Sequence, residues 1–168
     1  MYLRKFRPIE DSENECYDRL AMVLNVAKMN ATKDDIHDFK IKKYENKELL
    51  ELFKSNPKTE AIILDGHEPL DNLKDLTEFI RDAREFFYDL DPKSRPKIII
   101  HTNYLPYWEK LPGWLGFKDQ LELYGNCYIR YGQFADYSRK TGHRKKFGIK
   151  YSPPKQGIVV FRQQKQYE

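Results

Sequence analysis

Glu60-Ala-Ile-Ile-Leu-Asp-Gly-His-Glu-Pro-Leu-Asp71 is an apolar run that stops abruptly at Asp65-Gly66 and turns at Glu68-Pro69 into a helical pattern. Four consecutive apolar residues, Ala61 to Leu64, are too few for a buried helix and suit a strand covered on both faces. A strand that breaks at glycine and enters an acidic turn marks the place where open α/β folds hold ligands.

Upstream of this strand, Ala21-Met-Val-Leu-Asn-Val-Ala27 is nearly continuous in apolar residues and predicts another, followed by a loop over Asn30 to Asp35. Phe39 to Tyr44 reads as a short extended piece. Asn46 reads as a helix cap, with Leu49, Leu50 and Phe53 on one stripe that Ser55-Asn-Pro57 ends. Downstream, Leu73, Leu76, Phe79, Ile80 and Ala83 keep the spacing of a helix laid on a sheet, over about Leu73 to Tyr88. Two prolines make Asp91 to Pro96 a loop, and Lys97-Ile-Ile-Ile-His-Thr-Asn103 is again a buried-strand pattern. A helical piece over Lys118 to Leu123 and strands at Cys127 to Tyr131 and Gly157 to Arg162 follow, while Tyr2, Leu3 and Phe6 suit a short strand ahead of Pro8.

Strands alternating with helices through short polar links predict an α/β fold with a mostly parallel sheet, either a partial (β/α) barrel or a curved open sheet with helices on its outer face. Right-handed crossovers then bring Asn25 to Met29, Asp65 to Glu68 and His101 to Tyr104 to one edge. Tyr104 to Phe117 holds five aromatics among two prolines and two glycines. It reads as a turn whose rings complete the core, or alternatively as an exposed aromatic surface for a partner.

With 168 residues, 40% of them apolar, the chain suits a single domain over 1–168, and its 12 Tyr, 10 Phe and 2 Trp exclude a disordered chain. No apolar run approaches the roughly 20 residues of a membrane span, and Met1 to Pro8 lacks the apolar stretch of a secretory signal. A cytoplasmic protein without a membrane partner is the expectation. Cys16 and Cys127 are too few and too far apart for a disulfide framework or an iron–sulfur site. His37, His67, His101 and His143 have no metal-ligand spacing, so no metal centre is expected.

Two groups of residues stand out as candidate sites. Asp65, His67, Glu68 and His101, at neighbouring strand ends, form a carboxylate–histidine set suited to general acid–base work or a divalent metal. The bland alternative has Glu68 accepting backbone N–H bonds in its own turn while the histidines cap strands. The second group follows from charge. Residues 1–126 carry 20 Lys+Arg against 24 Asp+Glu, net −4, whereas residues 127–168 carry 10 against 2, net +8. Within 137–156, Arg139, Lys140, Arg144, Lys145, Lys146, Lys150 and Lys155 are interleaved with Tyr137, Phe147 and Tyr151 and with no acid. Such a loop neutralises phosphates and offers rings to bases, or steers an acidic protein surface, or is simply solvated.

The ordered set Phe39-Lys-Ile-Lys to Leu49, Asn56 to Asp71, Ile98-Ile-Ile-His-Thr-Asn-Tyr104, Tyr128-Ile-Arg-Tyr-Gly-Gln-Phe134 and Phe147 to Gln156 resembles the small radical S-adenosylmethionine proteins similar to the activating component of anaerobic ribonucleotide reductase. The resemblance covers roughly residues 20–160. It implies a first strand leading into a Cys-x3-Cys-x2-Cys loop whose thiolates hold a [4Fe–4S] cluster, and a second strand ending in a Gly-Gly-(x)-Glu-Pro turn that contacts the methionine amino group. Here the corresponding loop, Val26 to Lys33, contains no cysteine, and Asp65 stands at the first glycine while Gly66, Glu68 and Pro69 remain.

The expectation is therefore the family's fold without its activity: no cofactor, no cluster, and a non-catalytic domain that binds a protein or nucleic-acid partner. A small basic copy of this kind suits a phage or mobile-element protein that inhibits host machinery. Two alternatives stay open. One is an enzyme that keeps S-adenosylmethionine, at Gly66, Glu68 and Pro69, or a metal at the strand ends. The other is a nucleic-acid-binding module using the 137–156 loop.

Overall fold

Branched apolar runs bury on both faces only inside a sheet, and the computed structural model, which describes residues 1–10, 17–27, 41–133 and 143–162, places them there. In chain order the strands are β1 (Tyr2–Glu10), β2 (Ala21–Val26), β3 (Lys42–Lys43), β4 (Ala61–Gly66), β5 (Lys97–Thr102), β6 (Asn126–Tyr131), β7 (Arg144–Lys146), β8 (Ile149–Tyr151) and β9 (Gly157–Arg162). The helices are α1 (Asn46–Lys54), α2 (Leu73–Phe86) and α3 (Trp114–Tyr124).

Seven strands form one sheet in the order β3-β1-β2-β4-β5-β6-β9, while β7 and β8 pair separately. The central strands β2, β4, β5 and β6 are parallel, and β1, β3 and β9 add antiparallel edges. The fold is thus α/β with a parallel centre. Its sheet is open, with β3 and β9 at its two sides, rather than closed into a barrel.

Each crossover steps the same way across the sheet, so crossovers of one hand set the helices on one face. There Leu49, Leu50 and Phe53 of α1, Leu76, Phe79 and Ile80 of α2, and Phe117 and Leu121 of α3 bury against Met22, Leu24, Ile62, Leu64, Ile98 and Ile100. Full burial of each such side chain stabilises by about 1.5–3 kcal/mol. The opposite face, lined by Ala21, Val23, Ala61, Ile63, Ile99 and Tyr128, is covered, among the described residues, by Tyr17, Phe147 and Ile149.

Several elements differ from the sequence reading. β1 continues through Pro8 to Glu10, with a register irregularity between Arg7 and Glu10 that admits a residue lacking an N–H. Asn46 is the first residue of α1 and not its cap. Glu45 takes that place, and Asn46 Nδ2 donates to Asp82 Oδ2 of α2 at 2.8 Å. α3 begins at Trp114, four residues before the expected helix, because Trp114 and Phe117 give it a buried face. α2 ends at Phe86, two residues early. Of the extended piece at Phe39 to Tyr44, only Lys42–Lys43 pairs, and Phe39 and Lys40 lie outside the described residues, as does the Asn30 to Asp35 loop.

The segment read as a basic loop contains the β7–β8 hairpin. Its turn places Phe147 at φ 56 and Gly148 at φ 79, as a two-residue hairpin of the type needing two positive φ values does. Glycine adopts that conformation freely; the phenylalanine is held there by its ring, 5.4 Å from that of Tyr128 and 4.6 Å from the Arg162 guanidinium.

Candidate functional site

Register places a polar tier at the C-terminal ends of the parallel strands. Asn25 pairs with Asp65, Leu64 with Ile100, and His101 with Arg130. Asn25, Asp65, His101 and Arg130 stand two residues beyond Val23, Ile63, Ile99 and Tyr128, so by strand alternation they share the face opposite α1, α2 and α3.

In this tier His101 Nδ1 lies 3.6 Å from Asp65 Oδ2, and Asp65 Oδ1 accepts the Gly66 N–H at 2.8 Å. Burial by itself pushes the Asp65 carboxyl upward. The adjacent His101 ring, the Gly66 N–H and the Arg130 guanidinium outweigh it and bring the carboxyl down to about 2. His101 and Arg130 are 6% and 8% exposed, so the tier is a carboxylate held ionised against two nearly buried basic side chains. Chemically it suits proton transfer through the imidazole or recognition of a polar ligand.

A lowered carboxylate pKa fixes the sign of a pH effect. Asp65 contributes stability above its ordinary pKa, and that contribution is lost as pH falls through about 2. Because the side chain is 34% exposed, solvent screening reduces the contribution to about 1–2 kcal/mol. Urea titrations at pH 5 and at pH 2.5 should show the wild type losing about 1 kcal/mol more than Asp65→Asn, because about a third of the contribution survives at pH 2.5. Equal losses would remove the ion pair from the stability of the fold.

The neighbouring candidates divide. His67 donates its backbone N–H to the Val26 carbonyl at 2.9 Å, and its side chain is exposed. Glu68 turns to the next strand, where its carboxylate accepts from the Thr102 hydroxyl, from the Asn103 N–H at 3.0 Å and from the Leu70 N–H at 3.3 Å. Pro69 is buried as the first residue of a short 3-10 turn, Pro69–Asn72. The set of Asp65, His67, Glu68 and His101 is therefore not one cluster: Asp65 and His101 meet, Glu68 clamps its own turn to β5, and His67 faces outward. Gly66 has φ +104, and a Cβ there would stand 2.7 Å from the Val26 oxygen. Its glycine thus serves close packing of β4 on β2.

Sequence reasoning missed Arg130. The signal was present: a lone charge inside the apolar strand Cys127-Tyr-Ile-Arg-Tyr131, two residues beyond a buried tyrosine. Cys127 is fully buried on the helix side, where burial pushes its thiol up and away from thiolate chemistry. Cys16 and most of the loop that would carry a cysteine triad, residues 28–33, lie outside the described residues. Among the described residues no three His, Cys, Asp or Glu side chains converge as metal ligands.

The basic segment is divided as well. Arg139 and Lys140 fall outside the described residues. Arg144, Lys145 and Lys146 form exposed β7, Lys145 reaches Asp18 at 3.2 Å, and the Lys146 ammonium sits 5.5 Å from the Phe147 ring. Lys150 is half-buried and Lys155 exposed. The hairpin is thus a cover for the sheet with cations on its outer side.

Tyr104 to Phe117 is divided between the core and the surface. Trp108, Trp114 and Phe117 are buried, the two indoles 5.2 Å apart. Leu105, Tyr107 and Leu115 remain 55%, 65% and 74% exposed. Among the described residues no helix is long and apolar enough to cross a membrane. No protein-family model, curated protein or solved structure matches the chain.

Proposed function

We propose that this chain is a cluster-less radical-S-adenosylmethionine-like domain that acts by binding a protein partner and not by radical chemistry. The observation that carries this reading is Asp65. At the turn where the resemblance calls for a bare glycine to receive the cofactor, the chain places its own carboxylate and ties it to Gly66 N–H and His101. The cysteine-free loop after β2 supports the same conclusion. For the partner, the support is the apolar rim of Leu105, Tyr107 and Leu115, beside a buried tryptophan pair that holds it rigid. A phage or mobile-element inhibitor of host machinery is a role that suits such a domain.

Anaerobic reconstitution with iron and sulfide is expected to leave the protein colourless. A brown protein with about four irons per chain would overturn the reading. Affinity capture from a host lysate, run in parallel with Leu105→Ser and Leu115→Ser, tests the binding role: a protein retained by the wild type and lost by both variants supports it. If nucleic acid is retained instead, and Lys145→Ala with Lys146→Ala weakens it with a reduced salt slope, the hairpin is the working surface.

One observation favours a second reading. The Asp65, His101 and Arg130 tier has the placement of a ligand site, at the ends of parallel strands. Calorimetry with S-adenosylmethionine decides between them, because heat that disappears in Asp65→Ala makes this an occupied pocket with non-standard chemistry.

A further inference from the structure

At the opposite edge of the sheet, where the parallel strands begin, there is a cleft of about 310 Å³, at the lower end of the range of small-molecule pockets. Its lining is polar and includes the cations Arg19, Lys93, Arg95 and Lys97 and the carboxylates Asp18 and Glu60. Both carboxylates are already paired. Glu60 accepts from Arg19 Nη1 at 2.9 and 3.2 Å, and Asp18 faces Lys145 Nζ at 3.2 Å.

The other three cations have no carboxylate partner among the described residues. Arg95 donates from Nε to the Phe87 carbonyl and from Nη1 to those of Leu123 and Tyr124, at 2.8–3.3 Å, so its charge is fixed in place beside neutral acceptors. Lys97 Nζ donates one hydrogen bond, to the Phe147 carbonyl at 2.8 Å, and lies 5.7 and 5.5 Å from the Tyr17 and Tyr128 rings. An ammonium has three donors, which leaves two for a further acceptor. Lys93 stands exposed at the rim.

A concave polar site with three cations and no free carboxylate is matched by a compact multivalent anion. We infer that this cleft binds a phosphate group, with Lys97 as its principal donor and Lys93 and Arg95 supplying charge. Burial pushes the Lys97 amine down from its ordinary value, and an anion beside it favours the charged form that donates these hydrogen bonds. The site is formed by the strand starts and the hairpin turn, and it stands or falls independently of the strand-end tier.

The test is calorimetry and thermal shift with inorganic phosphate and with adenosine 5′-monophosphate at pH 7 and constant ionic strength. Tm should rise by about 3 °C at tenfold excess over Kd. Tighter binding of the nucleotide identifies an organic phosphate as the ligand, and equal affinity identifies the free ion. Lys97→Met, which keeps the apolar stem, is expected to weaken binding about tenfold, the loss of one charge-assisted hydrogen bond. Lys93→Glu, on the exposed rim and without structural contacts, is expected to weaken it at least as much by reversing a charge. Lys146→Ala, on the hairpin outside the cleft, should change affinity by less than about twofold. No shift with either phosphate compound overturns the inference, as does an affinity that depends equally on Lys146 and Lys93.

Discussion

Gly66→Ala is expected to lower the free energy of unfolding by about 3 kcal/mol or more, read as a drop in the urea midpoint with an unchanged slope and in Tm by about 6–12 °C. Two costs combine. A residue with a Cβ held at φ +104 pays about 1–3 kcal/mol for the conformation alone. The new methyl would also sit 2.7 and 2.8 Å from the Val26 oxygen and nitrogen, and overpacking of this kind costs about 1–3 kcal/mol. Relaxation is closed off on both sides, because the next residue, His67, donates its N–H to that same Val26 oxygen. A loss below about 1 kcal/mol would mean that β2 can shift away, and that glycine at this turn answers to something other than its neighbour strand.

Removal of the Glu68 carboxylate, in Glu68→Ala, should cost about 2–3 kcal/mol. The group is the common acceptor for a hydroxyl and two backbone N–H groups that belong to two different connections, one after β4 and one after β5. Hydrogen bonds to a charged acceptor contribute about 1.5–3 kcal/mol each, and the partial exposure of Asn103 allows water to replace part of that. Glu68→Gln, of the same shape with one acceptor oxygen, should lose about half as much. A residue kept only to touch a cofactor would show no loss in either variant, so the experiment separates the clamp from a ligand contact. Because the clamp joins the turns that carry Asp65 and precede Tyr104, its loss should also loosen the Asp65–His101 pair.

The central sheet was legible because its information is local: four apolar residues in a row at Ala61 to Leu64, and three isoleucines at Ile98 to Ile100, admit little besides doubly covered strands. α2 was legible for the same reason, through five apolar positions at helical spacing. What escaped depended on partners distant in sequence. The hairpin around Phe147-Gly148 exists because Phe147 and Ile149 find Tyr17, Tyr128 and Ile99 beneath them, and nothing within Arg144 to Tyr151 announces that. α3 begins early because Trp114 finds Trp108 and Phe161. At the strand ends, the meeting of Asp65 with His101 followed from βαβ topology, whereas the divergence of Glu68 rests on a turn whose dihedral angles the residue types do not specify. Arg130 joined the tier through register, which is fixed only when the strands are paired.

One side of the seven-stranded sheet ends on β3, which is two residues long and consists of Lys42 and Lys43, both exposed. A sheet margin recruits other chains by presenting a row of open N–H and C=O groups. Two residues make that row too short to template a partner strand, and two ammonium groups repel a second copy of the same margin. Strand addition is thereby discouraged where β3 covers β1, at Tyr2 and Leu3, and two ammonium-bearing residues guard that stretch of the margin.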